Sequence, residues 1–196
     1  MTRPVVIVFA RQPRLGTVKR RLAKGVGERA ALRFYRATLS GLLRRLSALR
    51  GVEIVVAMTP RAAKLPGTPP VGRIGQARGD LGARMAAAFA RFPRRRAVLI
   101  GSDIPDISVQ DIHAALAVLR GAPAVIGPAT DGGYWLIGFA GVPPMAIAAS
   151  FRDVRWSGPH ARADTLAGLR RRAGIGRVAH LRLLADIDEA ADLVAR

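Results

Sequence analysis

Hydrophobic positions along this chain fall into two alternating rhythms. Short strand-like runs occur at Val5–Phe9, Val52–Met58, Val71–Ile74, Ala97–Ile100, Ala124–Ile126 and Tyr134–Phe139, with a weaker one over Val178–Leu184. Runs of that length, bounded by Gly, Pro, Asp and Ser, predict buried strands. Between them, apolar residues recur at three- and four-residue spacing. Over Glu28–Leu49 the residues Ala31, Leu32, Tyr35, Leu39, Leu42, Leu43 and Leu46 make one apolar helix face. Helical spacing also marks Leu81–Phe92, Ser108–Leu119, Pro159–Arg172 and Glu189–Ala195, and Ser108 with Asp111 forms a variant capping box. This alternation predicts an α/β fold, three layers deep, with a mostly parallel sheet covered by helices on both faces. Ala62–Pro70 reads as a surface loop and Gly141–Pro144 as a turn closing the Tyr134–Phe139 strand. Beyond residue 145 the pattern loosens, so 145–196 is expected to flank the site within a single domain spanning 1–196.

Composition narrows the class. A chain of 196 residues builds one domain with one large core. It has no cysteine, which excludes disulfides and thiolate metal sites. The first apolar run is far shorter than the ~20 residues a membrane span needs, and no cationic region of a signal peptide precedes it. A cytoplasmic protein is therefore expected. The formal charge is +19, and only Lys19, Lys24 and Lys64 among the 32 basic residues are lysine. One reading of that excess is attraction to nucleic acid. The other is ordinary surface arginine from a GC-rich coding bias. The clusters Arg44-Arg45, Arg94–Arg96 and Arg170–Arg172 lie near expected helix ends, where cations complement the helix dipole. No aromatic residues interleave with them as stacking platforms, so nucleic-acid binding is the less supported reading.

Three loops follow expected strand ends and carry the candidate chemistry. After Val5–Phe9, a loop punctuated by Pro13 and Gly16 runs into a basic helical start. Free backbone N–H groups at such a junction bind phosphates in open α/β sheets. Gly16 would let the backbone approach a ligand, and Arg11, Lys19 and Arg21 supply positive charge. The spacing is neither a Walker motif nor GxGxxG, and a plain strand-to-helix turn with solvated arginines is the competing reading. After Ala97–Ile100 comes Gly101-Ser102-Asp103-Ile104-Pro105-Asp106. Asp103 there is placed to hold Mg²⁺ or Mn²⁺ bridging diphosphate oxygens, whereas Asp106 organises the turn. After Ala124–Ile126 comes Asp131-Gly132-Gly133-Tyr134, where paired glycines permit close approach of a substrate. Asp-Gly is equally a hairpin signal. Asp186-Ile187-Asp188 forms a fourth candidate. At most one of the two is expected to reach a metal at Asp103, and Asp188 is also a natural N-cap. His113, His160 and His180 have no metal spacing, and no GxSxG elbow occurs.

Four segments in order, Phe9–Leu22, Gly79–Met85, Gly101–Asp106 and Asp131–Gly138, followed by Trp156-Ser157 and Asp186–Asp188, resemble the DUF2064 family of small bacterial glycosyltransferase-like proteins. That family is related to the 2-phospholactate guanylyltransferases and more remotely to the molybdenum cofactor guanylyltransferases. The resemblance spans nearly the whole chain. It implies a GT-A, nucleotide-diphospho-sugar transferase fold. It also implies a nucleotide or phosphate grip made by Ala10, Arg11, Gly16, Lys19, Arg21, Asp80 and Gly82. The implied metal is Mg²⁺ or Mn²⁺ at Asp103, with Asp188 the better second carboxylate and Asp186 its rival. On the acceptor side the resemblance implies Gly132, Gly133, Tyr134, Trp156 and Ser157. Lys19 would stabilise the leaving diphosphate, and Asp131 would orient the acceptor or act as base. Arg20 replaces the family's threonine, and Ala191 its glutamate. The expected activity is glycosyl transfer from a nucleotide-sugar to a small acceptor. The alternative is nucleotidyl transfer from a nucleoside triphosphate to a phosphorylated small acid.

Overall fold

The computed structural model describes residues 2–63, 65 and 69–194. Lys64 and residues 66–68 of the expected Ala62–Pro70 loop, and Ala195 of the expected last helix, lie outside the described residues. The elements run β1 (Val5–Arg11), α1 (Arg20–Val26), α2 (Glu28–Ser47), β2 (Glu53–Thr59), β3 (Gly72–Gly75), α3 (Leu81–Ala90), β4 (Ala97–Ile100), α4 (Val109–Val118), β5 (Ala124–Pro128), β6 (Tyr134–Phe139), α5 (Pro144–Ser150), α6 (Ala161–Ala173), β7 (Val178–His180) and α7 (Ala191–Val194). Each expected strand is present, within one or two residues at most ends. The weak Val178–Leu184 strand is cut to Val178–His180, with Leu184 returning only as an isolated bridge to Ala129.

Among the described residues seven strands form one sheet in the order β3-β2-β1-β4-β6-β5-β7. β1 lies between parallel partners, with Val5 opposite Glu53 on one side and Ala97 on the other. Residues Val5–Val8 are fully buried, because a central parallel strand is covered on both faces. Alternate side chains enter separate cores. Val6 and Val8 meet the apolar face of α2 (Leu39, Leu42, Leu43, Leu46), whereas Val5 and Ile7 join Met85 and Phe89 of α3. α5 and α6 belong to that second layer, burying Ile147, Phe151 and Leu169 with Phe139.

β6 is the exception to parallel pairing. It runs antiparallel to both β4 and β5, because the Ala129–Gly133 connection is a short hairpin rather than a helical crossover. The stretch read as the surface loop Ala62–Pro70 is partly core: Ala63 and Leu65 are buried in the same core cluster as the apolar residues of α2. The Gly141–Pro144 turn continues directly into a helix, with Pro143 at the N-cap and Pro144 at the first helical position, where a missing N–H costs nothing. The Ser108–Asp111 capping box is formed in both directions. Several arginines are engaged structurally: Arg45 donates to Pro105 O, Arg96 to Leu116 O and Arg172 to Arg152 O.

Candidate active site

β1, β4 and β5 run in one direction and end on one rim of the sheet, so their following loops meet there. They enclose a two-lobed groove. One lobe, of about 570 Å³, is lined by Arg11, Lys19, Arg20, Arg21 and Arg84 over a floor that includes Phe9, Ala10, Tyr35 and Gln76. The other, of about 320 Å³, is lined by Asp131, Gly133, Tyr134, Trp156 and Asp186. Leu81, Gly101, Asp103 and Ser157 line both. Asp103 thus stands where the two lobes meet.

Lys19 joins the halves. Its Nζ donates to Asp188 Oδ1 at 2.7 Å and lies 3.2 Å from Asp103 Oδ2, with only 4% of its side chain exposed. Burial alone would favour the neutral amine. The neighbouring carboxylates of Asp103 and Asp188 outweigh it and hold the pKa above the ordinary lysine value. The backbone of Lys19 is left-handed (φ 46, ψ 49), a conformation that disfavours a side chain. Arg21 is exposed, and its guanidinium reaches only within 3.9 Å of Asp188.

Beneath the cationic lobe is a set of polar contacts that sequence reasoning missed. The Tyr35 hydroxyl accepts from Arg11 N at 2.9 Å and lies 3.1 Å from Ser102 Oγ, so it ties the loop after β1 to the loop after β4. The sequence pattern marks Tyr35 only as part of an apolar helix face, and its ring does pack there; the hydroxyl at its tip does the joining. Burial raises the Tyr35 pKa and keeps the phenol protonated. Gln76 Nε2 donates to Ala57 O at 2.7 Å and Ala10 O at 3.2 Å, and Arg84 Nη2 donates to Gln76 Oε1. Arg84 lies within the Gly79–Met85 motif, so a signal for it existed; Gln76 follows β3 with no pattern to mark it. Burial and the nearby Arg11 charge lower the Arg84 pKa.

On the other side, Asp131 Oδ1 accepts from Gly133 N at 2.8 Å, an Asx turn within the hairpin. The hairpin reading and the placement at the rim therefore hold together. Gly132 (φ 84) lies against Pro159 and accepts from Arg162 N at 3.1 Å, anchoring the turn rather than lining the lobe. Tyr134 and Trp156 provide aromatic wall, and burial raises the Tyr134 pKa. The buried indole N–H of Trp156 has no hydrogen-bond partner among the described residues. Burial, then Asp188 and Asp131, raise the Asp186 pKa.

Three expected phosphate residues stand elsewhere. Gly16 (φ 71) faces the Glu28 carboxylate and is not among the groove-lining residues. Asp80 is the N-cap of α3, accepting from Ala83 N at 2.8 Å. At Gly82 a Cβ would come within 3.0 Å of Phe151 and Trp156, so its smallness serves close packing. Asp188 is not an N-cap; Asp192 instead accepts from the N–H groups of Asp188 and Glu189, freeing the Asp188 carboxylate for Lys19.

The donor set has the chemistry for a substrate-bridged divalent ion. Asp103 and Asp188 already flank one positive charge, the Lys19 ammonium, and Asp186 lines the other lobe. Among the described residues no three His, Cys, Asp or Glu side chains converge as a ready cage. Mg²⁺ needs none, since it is commonly held by one or two carboxylates with phosphate oxygens and water completing the shell.

The chain is similar to a candidate nucleotide-diphospho-sugar transferase of Desulfovibrio desulfuricans G20, at 32% identity over 96% of this chain and 84% of that one, with a TM-score of 0.82. It shares its fold with the manganese complex of Rv0371c from Mycobacterium tuberculosis H37Rv (18% identity, 99% and 97% coverage, TM-score 0.55). The same holds for 2-C-methyl-D-erythritol 4-phosphate cytidylyltransferase from Thermus thermophilus (18% identity, 100% and 97% coverage, TM-score 0.55). No curated protein matches the chain. The architecture is thus the mixed α/β fold of nucleotide-diphospho-sugar transferases. Among the described residues no helix is long and apolar enough to cross a membrane. The model of the family described as "Uncharacterized protein conserved in bacteria (DUF2064)" matches residues 42–158, a span that holds Asp103, the Asp131 hairpin and Trp156 but stops short of Lys19 and Asp188. With that match covering more than half its length, the chain belongs to the DUF2064 family.

Proposed function

We propose that this protein is a Mg²⁺- or Mn²⁺-dependent transferase that moves a glycosyl group from a nucleotide-sugar to a small acceptor. The observation that carries the reading is Lys19 set between Asp103 and Asp188, where a cationic lobe adjoins an aromatic and acidic one. In this reading the donor diphosphate lies in the larger lobe against Arg11, Lys19 and Arg21, with Arg84 closing it. These cations stabilise the charge that develops as the bond from the sugar carbon to the diphosphate oxygen breaks. Asp103 and Asp188 would hold a divalent ion, which would supply further positive charge to the same phosphates. The acceptor lies in the smaller lobe between Tyr134 and Trp156, with Gly133 and Ser157 beside it. Its hydroxyl oxygen forms the new bond to the sugar carbon, and Asp131 orients it and takes its proton. The similarity to a candidate nucleotide-diphospho-sugar transferase supports the donor class.

A second reading rests on its own observation. A pocket of about 620 Å³, lined by Arg11, Arg14, Arg78 and Arg84, adjoins the cationic lobe. It has room and charge for a third phosphate, as a nucleotidyl transfer from a nucleoside triphosphate requires. Pyrophosphate release with an acceptor present distinguishes that chemistry.

The test is a thermal-shift panel of nucleotides and nucleotide-sugars with and without Mn²⁺. At least one member is expected to stabilise the protein only when the ion is present, and Asp103→Ala abolishes that shift. At 100 times Kd the shift corresponds to about 2.7 kcal/mol. No ion-linked stabilisation by any member overturns the reading.

A further inference from the structure

The chain carries 32 basic residues, yet none of those described lines the smaller lobe. Asp103, Asp131 and Asp186 line it, with Tyr134 and Trp156 as aromatic wall. Lys19, at the junction of the lobes, is already paired with Asp103 and Asp188. A negative region enclosed within a strongly positive molecule sets the sign of what can enter it.

We infer that the acceptor is a hydroxyl compound without negative charge, uncharged or bearing an ammonium group, and that phosphorylated and carboxylated acceptors are excluded. The inference rests on the transferase reading for the lobe's role. A phosphate or carboxylate in this lobe would face three aspartates with no arginine, lysine or histidine among the described lining residues to pair it, and so would lose its hydration without replacement. An ammonium group would meet Asp131 or Asp186 beside the aromatic rings of Tyr134 and Trp156. Sugar-like hydroxyls would donate to the same carboxylates. Occupying the other lobe does not reverse the sign. A nucleoside diphosphate-sugar carries two negative charges, so its divalent ion brings no surplus of positive charge. The volume of about 320 Å³ suits a monosaccharide-sized molecule.

Trp135 and Trp156 are the chain's two tryptophans; Trp135 is only 2% exposed, so ionic quenchers read mainly Trp156, half-buried in the wall of the lobe. Quenching by caesium and by iodide at equal ionic strength reads the sign of the local potential. Caesium is expected to quench more efficiently despite the +19 net charge, and Asp131→Asn with Asp186→Asn to reverse the preference. Stronger quenching by iodide in the unaltered protein overturns the inference. In a second arm, glucosamine, glucose and glucose 6-phosphate compete with the quencher. Protection by the first two at concentrations at least tenfold below the third is expected. Equal effects of all three, none by any included, or preference for the phosphate, overturn it. Nucleotide-induced thermal shift is followed on the same samples. An intact shift beside an iodide preference removes this inference alone, whereas a missing shift removes the donor reading and leaves the sign of the lobe decided by the quenchers.

Discussion

Lys19 and Asp188 are 169 residues apart in the chain, yet their side chains meet at 2.7 Å. The contact holds the segment after β7 against the loop after β1, with Asp188 and Asp103 both lining the cationic lobe. Two opposed demands fall on Lys19: its ammonium is needed between carboxylates, and its backbone occupies a region better suited to glycine.

Those demands separate by mutation. Lys19→Gly and Lys19→Ala both remove the ammonium, and both are expected to weaken nucleotide binding at least tenfold, about 1.4 kcal/mol. Only glycine relieves the left-handed backbone, by about 1 kcal/mol. Lys19→Gly should therefore melt ~2–4 °C above Lys19→Ala, as calorimetry will show. Alanine melting higher would contradict the backbone account. The native pKa is raised, so the stabilising pairing is complete below the ordinary lysine value of 10.5 and is lost as pH rises through the higher native value.

Tyr35→Phe keeps the ring in the α2 core and removes only the hydroxyl. Arg11 N and Ser102 Oγ then lose their shared partner. A loss of ~1–3 kcal/mol is expected from leaving buried polar groups unpaired, with weaker nucleotide binding because Arg11 is no longer fixed. Urea denaturation and nucleotide titration measure the two effects. Unchanged values in both would mean that water replaces the hydroxyl.

Gly132→Ala would drive a methyl group into the Pro159 backbone at a left-handed φ of 84. The hairpin must move away from the 159–162 segment, taking Asp131 and Tyr134 with it. We expect destabilisation of ~2 kcal/mol or more, since strain and clash act together. Near-native stability with unaltered tryptophan quenching would show that the turn has slack.

Asp111 ties α4 to the chain after β7. Its carboxylate caps Ser108 and takes two hydrogen bonds from Arg182, at 2.6 and 2.8 Å. Burial opposes ionisation, but Arg182 and Ser108 outweigh it and lower the pKa. The stabilisation is therefore present above the ordinary carboxylate value of 3.8 and disappears as pH falls through the lower native value. Asp111→Asn is expected to cost ~1–2 kcal/mol at neutral pH, discounted for the exposure of Arg182. The variant and the parent should converge in stability as pH falls below the ordinary carboxylate value of 3.8. Parallel curves over the whole range would place the effect outside the charge.

The fold was legible because its strands are apolar runs and its helices striped, and both patterns follow directly from burial. The loops after β1, β4 and β5 were legible as a shared rim for the same reason, since strand direction places them together. What stayed hidden were relations across long stretches of chain. Nothing local announces that Lys19 pairs with Asp188 or that the Tyr35 hydroxyl reaches the backbone of Arg11. Asp188 has the look of an N-cap because it precedes a helix, but its carboxylate takes the Lys19 ammonium, while Asp192 reaches back to the N–H groups of Asp188 and Glu189. Ala63 and Leu65 pass for loop surface because the prolines and glycines around them outweigh two apolar side chains that turn inward.

The opposite signs of the two lobes have a kinetic consequence. Counter-ions slow the arrival of a ligand drawn in by charge and speed one that the bulk of the molecule repels. On the proposed reading, an anionic donor approaching a body of charge +19 would be drawn in from a distance toward the larger lobe. An ammonium-bearing acceptor must cross that same field before it meets the aspartates. Rising salt would then act on the two association rates in opposite directions, and a salt optimum in turnover would mark the point where the two encounters balance.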